Sequence, residues 1–89
     1  MLAQKSTTQF KKDIKRIKSR HWDTQALKNL MVLLANEEEI PIENYDHVLG
    51  GNWKGHRELH VGPDFLLVYR IEGSILYFSR TGSHSDIFA

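Results

Sequence analysis

A change of hydrophobic period near its middle constrains this chain more than any other feature. Before the change, apolar residues recur at helical spacing. Phe10, Ile14 and Ile17 form one set, and Leu27, Leu30, Met31 and Leu34 match i, i+3, i+4, i+7 without a miss. From Trp53 onward the repeat is two. Arg57 to Val61 alternates, with Leu59 and Val61 on one side and Glu58 and His60 on the other. Phe65 to Ile71 is apolar on both sides, as a central strand requires. Glu72-Gly73 then reads as a two-residue turn into a returning strand over Ser74 to Arg80. One segment cannot serve both periods, so helices come first and sheet second.

The ends of these elements carry their own signals. Ser6, Thr7 or Thr8 can cap the first helix, and Asp23 the second, after the break at His21-Trp22-Asp23. Residues 2–5 are a candidate short strand. Thr81 to Ala89 reads as one helical turn capped by Ser83 or Ser85. The expectation is a single α+β domain over 1–89. It has an N-terminal helical hairpin packed on one face of a twisted, mostly antiparallel sheet of about four strands, and a short C-terminal helical turn. The other face, or an edge, is left for function. The turn at Glu72-Gly73 sets Tyr69 opposite Leu76, Leu67 opposite Phe78 and Phe65 opposite Arg80. A tight turn at Gly62-Pro63 sets His60 opposite Phe65, so that His60, Phe65 and Arg80 share one row. A slip of one residue would send His60 to the opposite face.

At 89 residues the chain has core enough for one domain and too little for a deep cavity, so a site is expected in a surface groove. Cysteine is absent, which excludes disulfides and thiolate metal clusters and suits a reducing cytoplasm. The longest apolar run, Leu30 to Ala35, is far too short to span a membrane, and the N-terminus lacks a signal peptide's apolar stretch. A soluble, cytoplasmic protein with no membrane partner is expected. Net charge is +1, yet seven of the twelve Lys and Arg residues fall in the first twenty positions. That leaves two readings of the first helix: a basic docking face or an ordinary solvated one.

Four of the five histidines, His47, His56, His60 and His84, fall in the second half beside Asp64, Lys54, Arg57 and Arg80. Imidazole both accepts and donates protons near neutrality. RNA carries its own nucleophile in the ribose 2′-OH. Its cleavage needs a base for that hydroxyl, an acid for the departing 5′ oxygen, and cations for charge on the phosphate. Histidines and Asp64 can supply the first two, and Arg80, Arg57 or Lys54 the third. The rival set is His60, Asp64 and His84 as a two-histidine, one-carboxylate metal site, against which no HExxH pair sits on a regular element. No G-x-S-x-G elbow, P-loop or dinucleotide fingerprint is present. No cofactor is expected.

The run His47-x-Leu49-x-Gly51-x-Trp53-Lys54-Gly55-x-Arg57-Glu58-x-His60-Val61-x-Pro63-Asp64-x-x-Leu67-x-Tyr69, followed by Arg80-Thr81-Gly82-x-His84-x-x-x-Phe88, resembles the YafQ family of bacterial toxins. These belong to the RelE superfamily of type II toxin–antitoxin systems. The resemblance covers almost the whole chain. It implies a RelE-like fold and a ribosome-dependent mRNA endonuclease that needs no metal, held inactive by a cognate antitoxin. The 2′-OH would attack the adjacent phosphate while mRNA lies in the ribosomal A site. The implied catalytic set is His47, His60, Asp64 and His84, with Arg80 as phosphate-stabilising cation and His84 as general acid. The base stays open among Asp64, His60 and His47. Lys54, Arg57, Trp53 and Phe88 are expected to bind RNA. Phe88 either stacks on a base or plugs the tail against the body. His56 stands where these toxins commonly have Tyr. A non-catalytic inhibitor that blocks translation by occupying an RNA or ribosomal site is the alternative of a different class.

Overall fold

Each helix starts where a side chain can take an orphan backbone amide. Thr7 accepts from Phe10 N at the start of α1 (Thr8–Ser19), and Asp23 from Ala26 N at the start of α2 (Thr24–Ala35). Between them His21 adopts a positive φ and turns the chain back into a hairpin. The computed structural model describes residues 1–89. The strands are β1 (Ala3–Ser6), β2 (His47–Val48), β3 (Arg57–Gly62), β4 (Phe65–Glu72) and β5 (Ile75–Gly82), and α3 (His84–Phe88) closes the chain. Single 3-10 turns occupy Ile42–Asn44 and Gly51–Trp53. No helix is long and apolar enough to cross a membrane.

The sheet has five strands in the order β1-β5-β4-β3-β2, one more than the expected four. β1 pairs parallel with β5 and the other pairs are antiparallel. The additional strand, β2, is two residues long and offers no periodic signal.

The hairpin covers one face. Phe10, Ile17, Leu27, Leu30, Leu34 and Ala35 meet Leu59, Phe65, Leu67, Tyr69, Leu76 and Phe78 in one buried cluster, which Leu2 completes. Phe10 stacks on Phe78 at 5.6 Å and Trp22 tilts on Phe65 at 4.9 Å. Tyr69 donates its hydroxyl to Asp46 at 2.7 Å, and burial together with that carboxylate pushes the phenol well above its ordinary range.

Register differs from the expectation at both hairpins. The β4–β5 turn is Gly73-Ser74, not Glu72-Gly73, so Tyr69 lies opposite Phe78 and Leu76 opposite Ile71. A bulge near Ser79 then sets Arg80 opposite Val68 and Leu67 opposite Thr81. The β3–β4 turn is Pro63-Asp64, with Asp64 at positive φ, and a second irregularity lies between His60 and Gly62. His60 is therefore opposite Leu66, and the row His60–Phe65–Arg80 does not exist. Phe65 belongs to the hairpin core, whereas His60 lies on the other face.

Past Phe78, β5 loses its β1 neighbour, and side chains of α1 and its N-cap satisfy that free edge. Thr7 Oγ1 donates to Ser79 O at 2.9 Å, and buried Asp13 accepts from Thr81 N at 3.1 Å.

Candidate active site

The face away from the hairpin carries a small apolar cluster of Leu66, Val68 and Ile87, flanked by Leu49 and Trp53. Ile87 anchors α3 there. A capping box sets the direction of that helix: Ser83 accepts from Asp86 N, and Asp86 accepts from Ser83 N. Gly82 is required for this turn, because a Cβ on it would lie 2.7 Å from Asp86 Oδ2 and its φ is +143°. His84, the first residue of α3, is thereby brought back over the sheet.

Three elements deliver three imidazoles to one carboxylate. His47 in β2 is the cross-strand partner of Glu58, and His60 follows Glu58 by two residues on the same side of β3. Glu58 is 4% exposed. Its oxygens lie 3.5 Å from His47 Nε2, 3.9 Å from His60 Nε2 and 4.0 Å from His84 Nε2. Glu58 Oε1 is buried and has no hydrogen-bond partner. Ring centroids are 6.1 Å apart for His47 and His60 and 6.3 Å for His60 and His84.

Two of the rings are held in a defined orientation. His47 Nδ1 donates to the Tyr45 carbonyl at 2.8 Å, which leaves Nε2 toward Glu58. His84 Nδ1 donates to Asp64 Oδ1 at 2.6 Å, and the His84 amide donates to the same oxygen at 2.8 Å. Those backbone and side-chain hydrogen bonds hold the Asp64 carboxyl below the usual carboxylate range. An ionised carboxylate on Nδ1 fixes the ring and leaves His84 Nε2 without a hydrogen bond, 4.0 Å from Glu58 Oε1, the relation seen in a histidine–aspartate dyad. Asp64 is thus placed to orient His84 and poorly suited to take a proton.

The remaining expected residues divide. Phe88 lies next to His84, with centroids 6.2 Å apart, and meets Trp53 edge-on at 5.8 Å. It is 40% exposed, so it caps the Trp53 ring while presenting an open side. Lys54, in the adjoining loop, is exposed and forms no ion pair, unlike Arg57 and Arg80. Arg57 lies on the hairpin side, where its Nε donates to Asp46 at 3.1 Å, away from the histidines. Arg80 Nε and Nη2 donate to Asp13 at 2.8 and 3.2 Å, and Nη2 also donates to Asp86 O at 3.1 Å. Its guanidinium ties α1, β5 and α3 together and keeps only Nη1 without a protein partner. His56 packs edge-on against Trp53 at 5.2 Å with Nδ1 buried and unpaired.

Glu58 was not among the expected site residues, although the alternation of β3 puts it on the side of His60. Tyr45 was also missed. Its ring stacks on His47 at 4.4 Å, and no periodic pattern marks the loop that holds it. No group of three His, Asp or Glu side chains is arranged to hold a metal ion.

Comparison with known proteins supplies the context. The family profile described as bacterial toxin of type II toxin-antitoxin system, YafQ, matches residues 2–89. The mRNA interferase toxin YafQ of Escherichia coli is 44% identical over 81 residues, covering 90% of this chain and 88% of that protein. Among solved structures, the toxin of the Escherichia coli DinJ-YafQ complex superposes with a TM-score of 0.92 at 40% identity, covering all of both chains. A metal-bound toxin from Helicobacter pylori also reaches 0.92, at 37% identity over 99% of this chain and 100% of that one. With the profile spanning nearly every residue and the full fold superposing, this chain belongs to the YafQ family of bacterial toxins of type II toxin–antitoxin systems.

Proposed function

We propose that the chain is an mRNA endonuclease that cleaves in the ribosomal A site by attack of the 2′-OH, without a metal. The observation that carries this reading is the convergence of His47, His60 and His84 on Glu58, with His84 backed by Asp64. Acid and base must lie within reach of opposite sides of one phosphate, and the 6.3 Å between the His60 and His84 rings suits that. His84, held by Asp64, protonates the 5′ oxygen through Nε2. His60 takes the 2′-OH proton, with His47 beside it and Glu58 supplying the negative charge that balances the imidazolium formed. Lys54 provides the mobile cation for the phosphate. Arg80 acts mainly by fixing α3, with Nη1 as the one donor left for the phosphate. Trp53 and Phe88 line the RNA path, and Arg57 contributes only indirectly through Asp46.

Family membership and the DinJ-YafQ complex support a cognate antitoxin as partner, and action on translating ribosomes would place the protein in the cytoplasm. The test is to add the protein to purified ribosomes translating a defined message and map new 5′ ends. Ends inside codons, appearing with a transition-metal chelator present at a Mg²⁺ level that keeps the ribosomes translating, are the expected result. An intact message under stalled ribosomes would instead establish a blocking inhibitor. Cleavage lost to that chelator while translation continues, and restored by a transition metal, would overturn the metal-free chemistry, a live contrast given the metal-bound relative.

A further inference from the structure

The rings of the site touch without a break: Tyr45 stacks on His47 at 4.4 Å and meets His60 edge-on at 5.6 Å, His47 and His60 are 6.1 Å apart, His60 lies 6.3 Å from His84, and His84 6.2 Å from Phe88. Imidazoles occupy the middle, and an exposed aromatic closes each end. The Phe88 end belongs to the expected site. The Tyr45 end has no assigned task.

Tyr45 is unusual in three ways. It is 62% exposed, its φ and ψ of 45° and 57° are left-handed, and its hydroxyl makes no hydrogen bond. The left-handed conformation is uncommon for any residue with a Cβ and an outlier for a bulky one. Asn or Gly would make the same turn with less strain. The turn itself therefore gives no reason for the ring. Nor does the core, since the side chain is mostly in solvent. One face lies on His47, and beside the ring is a shallow hollow of about 300 Å³ lined by Ile40, Pro41, Ile42, Tyr45 and Asp46. A flat ring with one face on His47 and the rest largely in solvent, next to a partly apolar hollow and beside two candidate proton-transfer groups, is a stacking platform.

We infer that Tyr45 binds a nucleobase of the RNA substrate, stacking it in the order base, Tyr45, His47 on the side of the scissile phosphate away from Phe88. The inference rests on the endonuclease reading above. Every base has a π face, so a single platform holds RNA without demanding one sequence. The partly apolar hollow, with Asp46 in its lining, would still favour some bases over others at that position.

The experiment compares wild type, Tyr45→Asn and Tyr45→Phe on purified ribosomes with a defined message, measuring KM, kcat and the distribution of cut sites. Tyr45→Asn tolerates the left-handed backbone and removes the ring. It should raise KM about ten-fold, the scale of one lost base stack, and redistribute the cuts among bases. Tyr45→Phe should keep both near wild type. If Tyr45→Asn does not reach the native circular dichroism spectrum, Tyr45→Gly, which adopts this backbone freely, serves in its place with the same expected result. Unchanged KM and cut pattern would overturn the inference. So would a change in kcat and its pH profile alone, the mark of a residue that merely props His47. Weakened antitoxin binding with cleavage unaltered would place a protein contact there instead. A wild type that leaves the message whole would bring down the endonuclease reading too, whereas a wild type that cuts beside an indifferent Tyr45→Asn sinks only the platform.

Discussion

The two faces of the sheet are packed by opposite rules. Against the hairpin, thirteen buried residues form one apolar cluster, and Asp13 there is met by Arg80, Thr81 and Gln9. Against α3, three buried residues suffice, and the same short stretch holds Glu58 with an unpaired oxygen under three imidazoles. A buried carboxylate oxygen without a partner is unfavourable wherever it occurs. The fold can carry that cost because the larger cluster on the hairpin face supplies most of the buried apolar packing.

That contrast can be broken by substitutions of opposite kind. His84→Ala should lower cleavage by about 10²–10⁴-fold, the range for losing a general acid. Since His84 is exposed and its amide still bonds Asp64, urea unfolding should shift by less than about 0.5 kcal/mol. A large stability loss would mean that the faces are not separable. Leu67→Ala, in the hairpin core, should do the reverse. It should cost about 2–5 kcal/mol in urea unfolding, with kcat per folded molecule nearly unchanged. A proportional fall in kcat would show the core setting the site's geometry directly.

The smallest effect concerns the joint between the faces. Hydrogen bonds from Arg20 and from Ser83 hold the Asp86 carboxyl well below the usual carboxylate range. A carboxylate favoured in its ionised form by folding adds stability at pH values above its unfolded pKa of about 3.9. That contribution is lost as pH falls through the lower folded value. Asp86→Asn should therefore be less stable than wild type at pH 7, and the gap should narrow below about pH 4. Equal gaps in urea unfolding at pH 7 and pH 3 would show that the Asp86 charge does not anchor α3.

Much of this was legible in the chain, for reasons that differ by element. Leu27, Leu30 and Leu34 lie in the core as their spacing requires, and Thr7, Asp23 and Ser83 cap as expected. The alternation of Leu59 and Val61 against Glu58 and His60 was also faithful to the structure. The guessed cross-strand row was not, because turn position and bulges are decided by which residues tolerate a local kink and a positive φ. At Asp64 that departure also places a carboxylate under His84, so the irregularity that spoiled the register builds part of the site.

The order and spacing of residues determined by themselves that two amphipathic helices precede a sheet, and that histidines and carboxylates would crowd its strands, because periodicity of two or 3.6 is a local property. Tertiary structure alone decided that Glu58 sits among three imidazoles, that Arg80 is bound to Asp13, and that Arg57 is bound to Asp46. Those outcomes depend on bulges, on a two-residue strand and on the return of α3, each stabilised by contacts between segments far apart in the chain. No window of sequence contains both partners of such a contact.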